Sequence, residues 1–210
     1  MLYGYANMNW MLAQATFALS RLIEKNGYIA MPIPPSPPND SENLVAMLSN
    51  RHAAVAAGLG ELGWNSLLIT RKTAGRLRLV SLITDAALEP DPILAGEPIC
   101  NPEQCGYVCA KACPVNAIST TKSVEFSIAG RLQRHGVVNK WLCRSRQIAG
   151  AKGPWRPLIG EPPPLPKEIT PEDWRARQKY TDPWDAMESN PIGRGDRCGQ
   201  CIMVCPVALR

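Results

Sequence analysis

The stretch CNPEQCGYVCAKACP, residues 100–114, places four cysteines within 15 residues and ends in Cys-Pro. A shorter run, CGQCIMVCP, follows at residues 198–206 with three cysteines and also ends in Cys-Pro. Closely spaced cysteines with a three-residue gap before Cys-Pro are typical of iron–sulfur sites, in which thiolates bind a cubane cluster. The two runs therefore predict two 4Fe–4S clusters.

The cysteines divide between the two clusters in a crosswise pattern. In two-cluster ferredoxins the first three cysteines of a run bind one cluster, and the Cys-Pro cysteine binds the other. The second run is one cysteine short, and Cys143 is the only cysteine outside both runs. Cys143 is therefore predicted to complete a set in which every cysteine is a metal ligand: Cys100, Cys105, Cys109, Cys113, Cys143, Cys198, Cys201 and Cys205.

The spacing of the first run departs from the bacterial ferredoxin pattern. Counted back from Cys113 its gaps are three, three and four residues, where the ferredoxin run has three, two and two. Two other uses of paired cysteines compete with clusters. Four thiolates can hold a structural zinc ion, although zinc sites do not require Cys-Pro, and disulfides form in oxidising compartments.

The N-terminal residues MLYGYANMNW contain no basic segment, apolar core or small-residue cleavage site of a secretory signal. We therefore expect a cytoplasmic protein in a reducing, anaerobic environment, where cysteines stay available to metal. No apolar run approaches the length of about twenty residues that a membrane span needs, so no membrane partner is expected.

The chain has 210 residues, more than two clusters need, and a hydrophobic fraction of 45%, which is ordinary for a globular protein. We predict an α+β protein with an α/β portion at residues 1–96 and a two-cluster ferredoxin-like domain at residues 97–210. A Gly- and Pro-rich arm is predicted at residues 150–171. An α/β portion this short could complete its core by forming a homodimer.

The formal charge of +5 does not by itself predict a nucleic-acid partner. Two clusters, each about −2 with four thiolates, would bring it to roughly +1. Seven Lys and Arg residues nevertheless bracket Cys143 between residues 131 and 156. They are interpreted as a solvated face that compensates the cluster charge, and a tRNA-binding or structural module is kept as an alternative.

The segment before the first run predicts regular structure. Residues 7–26 predict an amphipathic helix that ends at Gly27, with a buried stripe of apolar residues. The stripe comprises Met8, Met11, Leu12, Ala15, Leu19, Leu22 and Ile23. Residues 66–70 and 77–84, on either side of a Thr-Ala-Gly turn, predict an antiparallel hairpin.

The segment RHAAVAAGLGELGWNSLLIT, residues 51–70, continues through GRLRLVSLITDAALEPDP, residues 75–92, into the first cysteine run. With two cluster motifs and a lone cysteine between them, this arrangement resembles the superfamily of epoxyqueuosine reductases and reductive dehalogenases. The resemblance spans roughly residues 9–206. It implies a nitroreductase-like α/β portion that binds a corrinoid (cobalamin), whose cobalt receives electrons from the two clusters.

The resemblance also implies particular residues. It places a stretch of small residues near the corrinoid face: Ala57, Gly58, Leu59, Gly60 and Gly63. The epoxyqueuosine branch has an acidic proton donor just before the first helix. The local sequence here, YANMN at residues 5–9, has no carboxylate, so Tyr3 and Tyr5 are the candidate donors.

These observations favour an oxidoreductase that passes single electrons through two 4Fe–4S clusters to a corrinoid-dependent reductive reaction, supplied by a redox partner protein as electron donor. The alternative is an electron-transfer subunit without a corrinoid, which docks on a catalytic partner through the Pro-rich arm.

Overall fold

The computed structural model describes residues 2–36, 39–40, 43–149, 170, 172–173, 176 and 198–209. Apart from Thr170, the predicted arm at residues 150–171 lies outside the described residues. The described helices are α1 (Leu2–Lys25), α2 (Asn50–Ala56), α3 (Pro102–Cys105), α4 (Val108–Lys111), α5 (Lys140–Ala149) and α6 (Gln200–Met203), and Pro206–Leu209 is a 3-10 turn.

The strands within the described ranges form four separate antiparallel pairs, which together with the helices confirm a mixed α+β protein. The pairs are β1 (Ala30–Ile33) with β6 (Ser81–Thr84), β2 (Asn39–Asp40) with β3 (Val45–Ala46), β4 (Glu61–Leu62) with β5 (Leu68–Ile69), and β7 (Ile118–Ile128) with β8 (Arg131–Val138). No helix within the described ranges has the combination of length and apolar character that a membrane span requires.

Helix α1 begins five residues earlier than predicted and ends at the predicted glycine. Gly27 has φ of 87°, a left-handed conformation that is open to glycine, and its N–H donates to Glu24 O at 3.0 Å. The helix packs on β1 and β6.

The predicted buried stripe of α1 is wrong. Met11, Leu19 and Leu22 are exposed, as are the neighbouring Trp10 and Phe17. The buried positions carry small and polar residues instead: Ala6, Asn9, Thr16 and Ser20. Small side chains let the helix lie close to a two-stranded sheet. The buried hydroxyl groups are satisfied within the helix, since Thr16 donates to Leu12 O at 2.7 Å and Ser20 to Phe17 O at 2.8 Å.

The predicted hairpin of residues 66–70 with 77–84 is also wrong. β5 pairs with β4, whereas β6 pairs with β1 in the register Ala30↔Thr84. After β5 the chain turns back through two backbone hydrogen bonds between Thr70 and Ala74. Leu77 and Leu79 then pack on a core cluster that contains Val55 and Leu68, so this segment contacts β5 through side chains and not through strand pairing.

The β7–β8 hairpin connects the first part of the chain with the cysteine runs. Its turn has positive φ at Ala129 (47°) and Gly130 (83°), as a tight hairpin turn requires. The buried amide of Gln133 on β8 accepts a hydrogen bond from the Leu62 N–H at 3.0 Å. This bond joins β8 to β4 next to the glycine-rich segment.

Candidate metal centre

Two short helices present the first cysteine run. Asn101 caps α3, because its side chain accepts the N–H of Gln104 at 2.9 Å, and Pro102 occupies the first turn. Between α3 and α4 the chain passes through two left-handed residues, Gly106 (φ 65°) and Tyr107 (φ 57°). Cys105 ends α3 and α4 carries Cys109, so this turn explains how a run with wider gaps still brings its thiols together.

The remaining cysteines approach from other parts of the chain. α6 carries Cys201 and contacts α4, while α5 carries Cys143. Cys113 packs with Cys143 around Leu142, and Cys201 packs with Cys109 around Trp64. Distant segments of the sequence therefore meet at one centre.

The eight thiols form two neighbouring groups. Cys100 lies near Cys105 and Cys205, and Cys109 lies near Cys100 and Cys105. We name these the first group: Cys100, Cys105, Cys109 and Cys205. Cys143 lies near Cys201, Cys113 and Cys198, which form the second group with it. Cys109 also lies near Cys201, so the two groups adjoin each other.

The first group lines a single cavity of about 690 Å³. Its wall contains all four thiols of the group, together with Gly63, Trp64, Ile99, Val108 and Val204. Three of these thiols come from the first cysteine run and Cys205 comes from the second, which is the crosswise arrangement predicted from the sequence. Ligation itself stays a prediction.

Burial dominates the protonation of these thiols. It raises the pKa of Cys100 to about 11 and that of Cys109 to about 12, and neighbouring thiols add to both shifts. Burial also raises the pKa of Cys143 to about 11 and that of Cys201 above its ordinary value. At neutral pH these thiols would carry protons in the absence of metal, and binding a metal would displace them.

Hydrogen bonds to sulfur accompany both groups. The Trp64 N–H donates to Cys100 Sγ at 3.3 Å in the first group. In the second group the Ala117 N–H donates to Cys113 Sγ at 3.2 Å, and the Asn65 side chain opposes the rise in the pKa of Cys201 that burial causes. Donors of this kind stabilise a thiolate and tune the potential of a cluster bound to it.

Trp64 is a central residue that the sequence analysis did not select. The residue is 2% exposed, and its Nε1–H donates to Ser119 O at 2.8 Å. The indole packs edge-on against Tyr107 with ring centres 5.0 Å apart, and it contacts Cys109. It therefore joins the glycine-rich segment to the wall of the thiol groups.

Glu61 was also missed. Its carboxylate is buried, and one oxygen accepts the N–H groups of Ile99 at 2.7 Å and Cys100 at 2.8 Å. The other oxygen accepts Arg131 at 2.9 Å. The available signal was a lone carboxylate in an otherwise apolar, glycine-rich segment. If such a segment is buried, its carboxylate needs a partner, because buried charges in proteins are usually paired.

The described residues contain neither a disulfide nor a compact single-ion site. No disulfide joins any of the eight cysteines, all of which are described. No set of three or more His, Cys, Asp or Glu side chains within the described ranges is arranged around a single metal ion. The choice between zinc and clusters therefore stays a prediction.

The segment predicted to face a corrinoid makes close contacts within the chain. A Cβ atom on Gly58 would overlap the carbonyl oxygen of Pro92, and one on Gly60 would overlap that of Ile69. Leu59 is 59% exposed, and Gly63 lines the cavity of the first group. The first two glycines therefore have an internal packing role, and their corrinoid contact stays a prediction.

A Gly60→Ala variant is expected to lose about 1–3 kcal/mol of folding stability, because the new methyl group must displace the β5 backbone. Gly4→Ala, on α1 with open space around its Cα, is the matched control and should gain up to about 1 kcal/mol from helix propensity. Urea unfolding of both variants measures the difference. Equal midpoints would contradict the packing role of Gly60.

Of the two candidate proton donors, the side chain of Tyr3 lies outside the described residues. Tyr5 stacks under Arg78, whose Cζ is 4.1 Å from the ring centre, and its hydroxyl accepts from that guanidinium at 3.2 Å. Arg78 lines a second cavity of about 310 Å³, whose wall also contains Ile202 next to Cys201. Tyr5 is thus linked through Arg78 to a cavity beside the second group.

No family model matches the chain. A tetrachloroethene reductive dehalogenase of Dehalobacter restrictus is 29% identical over 216 residues, covering 96% of this chain. This chain is therefore similar to reductive dehalogenases over most of its length. Tetrachloroethene reductive dehalogenases of Desulfitobacterium hafniense are 29% and 28% identical over the same length. The chain spans only 27% of the length of these curated relatives, which belong to the dehalogenase branch of the resemblance and not to the epoxyqueuosine branch.

Proposed function

We propose that this chain binds two 4Fe–4S clusters in a ferredoxin-like arrangement and passes single electrons through them, as the redox part of a reductive dehalogenase-like protein. The observation that carries the proposal is the cavity of about 690 Å³ whose wall combines three thiols of the first run with Cys205 of the second. Neither run alone would bring these four thiols to one cavity.

The surrounding residues fit such clusters. The donor set consists of thiols in two groups of four, and N–H groups of the chain are directed at sulfur in each group. When bound, each cluster would supply one reversible one-electron centre. Trp64, Ile118 and Leu142 exclude water from the walls of the groups, and low solvent access together with N–H···S bonds sets the potential.

We extend the proposal to a corrinoid-dependent reductive reaction. It is supported by the family resemblance and by the relationship to reductive dehalogenases over nearly the whole chain. The candidates for corrinoid contact remain Ala57, Gly58, Leu59, Gly60 and Gly63. Tyr5 remains the candidate proton donor among the described side chains. An electron donor protein and homodimer formation are part of the proposal.

Elemental analysis of anaerobically purified protein tests both levels of the proposal. We expect about eight iron and eight sulfide per chain, the content of two cubanes, with a broad visible absorption band that bleaches on reduction. Cobalt at about one per chain would support the corrinoid step. Iron and sulfide without cobalt, after reconstitution with a corrinoid, would favour the electron carrier. Stoichiometric zinc without sulfide would contradict the cluster proposal.

A further inference from the structure

We propose that Glu61 is a positioning residue that holds Cys100 in the first group and that its charge, opposed by Arg131, sets the reduction potential of the cluster bound there. The inference rests on the proposed function, because it requires a cluster in the first group. It assigns a redox role to a carboxylate that is not itself a ligand of the cluster.

The geometry of Glu61 fits a clamp on the ligand backbone. The side chain starts from β4 and is 8% exposed. A single carboxylate oxygen accepts two successive N–H groups, those of Ile99 and Cys100, at 2.7 and 2.8 Å. Hydrogen bonds to a charged acceptor are about twice as strong as neutral ones. The backbone at Cys100 is therefore tied to a residue 39 positions earlier in the sequence.

Cys100 has a particular need for such a clamp. It precedes α3, which begins at Pro102, so no helix of the run fixes its backbone. Four residues separate it from Cys105, the widest gap in the run. Glu61 fixes the backbone of Cys100, and the Trp64 N–H, three residues further along the chain, donates to its sulfur at 3.3 Å. The glycine-rich segment thus supplies both contacts.

The charge of Glu61 acts on the same thiol. A buried carboxylate is poorly screened by solvent, and the negative charge of Glu61 opposes ionisation of the Cys100 thiol. The same charge would disfavour an added electron on a cluster bound to that sulfur. Arg131, on β8, forms an ion pair with Glu61 at 2.9 Å. The Arg131 side chain is 18% exposed and the Glu61 side chain 8%. Its positive charge acts in the opposite direction.

Two variants separate a charge effect from a general disturbance. Glu61→Gln keeps an acceptor oxygen but removes the negative charge and leaves Arg131 unopposed. Arg131→Gln removes the positive charge and leaves Glu61 unopposed. A charge effect therefore shifts the potential of the first cluster in opposite directions in the two variants, whereas loosened packing would affect both in the same way.

The experiment is a potentiometric titration of the anaerobic holoprotein, followed by electron paramagnetic resonance. At a fixed potential we expect Glu61→Gln to raise the reduced-to-oxidised ratio of the first cluster about tenfold, a shift of about 59 mV for one electron, and Arg131→Gln to lower it. The second cluster should move less. Shifts of the same sign, or unchanged potentials with full iron, would overturn the charge role.

Glu61→Ala tests the clamp, because it removes the acceptor for both N–H groups. We expect a chelator to remove about four iron atoms per chain from this variant under conditions in which the wild-type protein keeps about eight. If Glu61→Ala resisted the chelator as well as the wild-type protein does, the positioning role would be overturned. Iron-free wild-type protein would instead contradict the proposed function, so the two failures are distinguishable.

Discussion

Replacing Cys205 by serine is expected to remove the cluster of the first cysteine run, although Cys205 belongs to the second run. Its thiol lines the cavity that contains Cys100, Cys105 and Cys109. Cys113→Ser should likewise remove the cluster of the second run, because Cys113 lies near Cys143 and Cys201. In each variant the iron content should fall from about eight to about four atoms per chain.

Double variants decide between crosswise binding and binding within each run. The pair Cys105→Ser with Cys205→Ser removes two ligands of one group, so about four iron atoms should remain. The pair Cys201→Ser with Cys205→Ser removes one ligand from each group, so both clusters should be lost. Iron analysis after anaerobic purification gives the result. The reverse outcome, with iron retained in the second pair and lost from the first, would contradict the crosswise arrangement.

Trp64→Ala is expected to destabilise the protein by about 3–5 kcal/mol, the usual cost of emptying a buried aromatic site. The variant also leaves the carbonyl of Ser119 without the indole N–H that it accepts at 2.8 Å. Because the indole contacts Cys109 in the wall of the first group, the cluster bound there should become more accessible to chelators. Urea unfolding midpoints and the rate of iron removal measure the two effects.

Trp10→Ala is the matched control for this prediction. Trp10 is 57% exposed on α1, so the same substitution removes the same atoms from a solvated position. Its effect on stability should stay within about 0.5 kcal/mol. If the two variants shifted the unfolding midpoint equally, the structural role assigned to Trp64 would be wrong.

Local sequence predicted the features that depend on neighbouring residues. Gly27 ends α1 as expected, because a left-handed residue after a helix is a property of the residue itself. The helix expected at residues 7–26 and the extended segments after it agree with the mixture of helices and small sheets in the structure. The spacing of the cysteines selected seven thiols, and Cys143 followed as the one cysteine outside the runs. The structure brings all eight together in two groups of four.

Predictions from local sequence failed where the same pattern allowed more than one buried face or more than one strand pairing. The apolar stripe of α1 was a valid helical pattern, but the buried positions of the helix include Asn9 and Thr16. Their polar groups have partners, since Asn9 accepts from Arg78 at 2.7 Å and Thr16 donates to its own helix. β6 was predicted to pair with the segment just before it, yet it pairs with β1, about 50 residues earlier, as the register Ala30↔Thr84 shows.

The sequence by itself determined the chemistry available to this protein: seven thiols in two runs whose Cys-Pro endings indicate iron–sulfur binding, and an eighth at Cys143. Only the tertiary structure decided which thiols share a cavity and which residues hold and shield them. Glu61 reaches Cys100 across 39 positions, and Trp64 reaches Ser119 across 55. Such contacts depend on how separate elements pack, which no periodicity within one segment encodes.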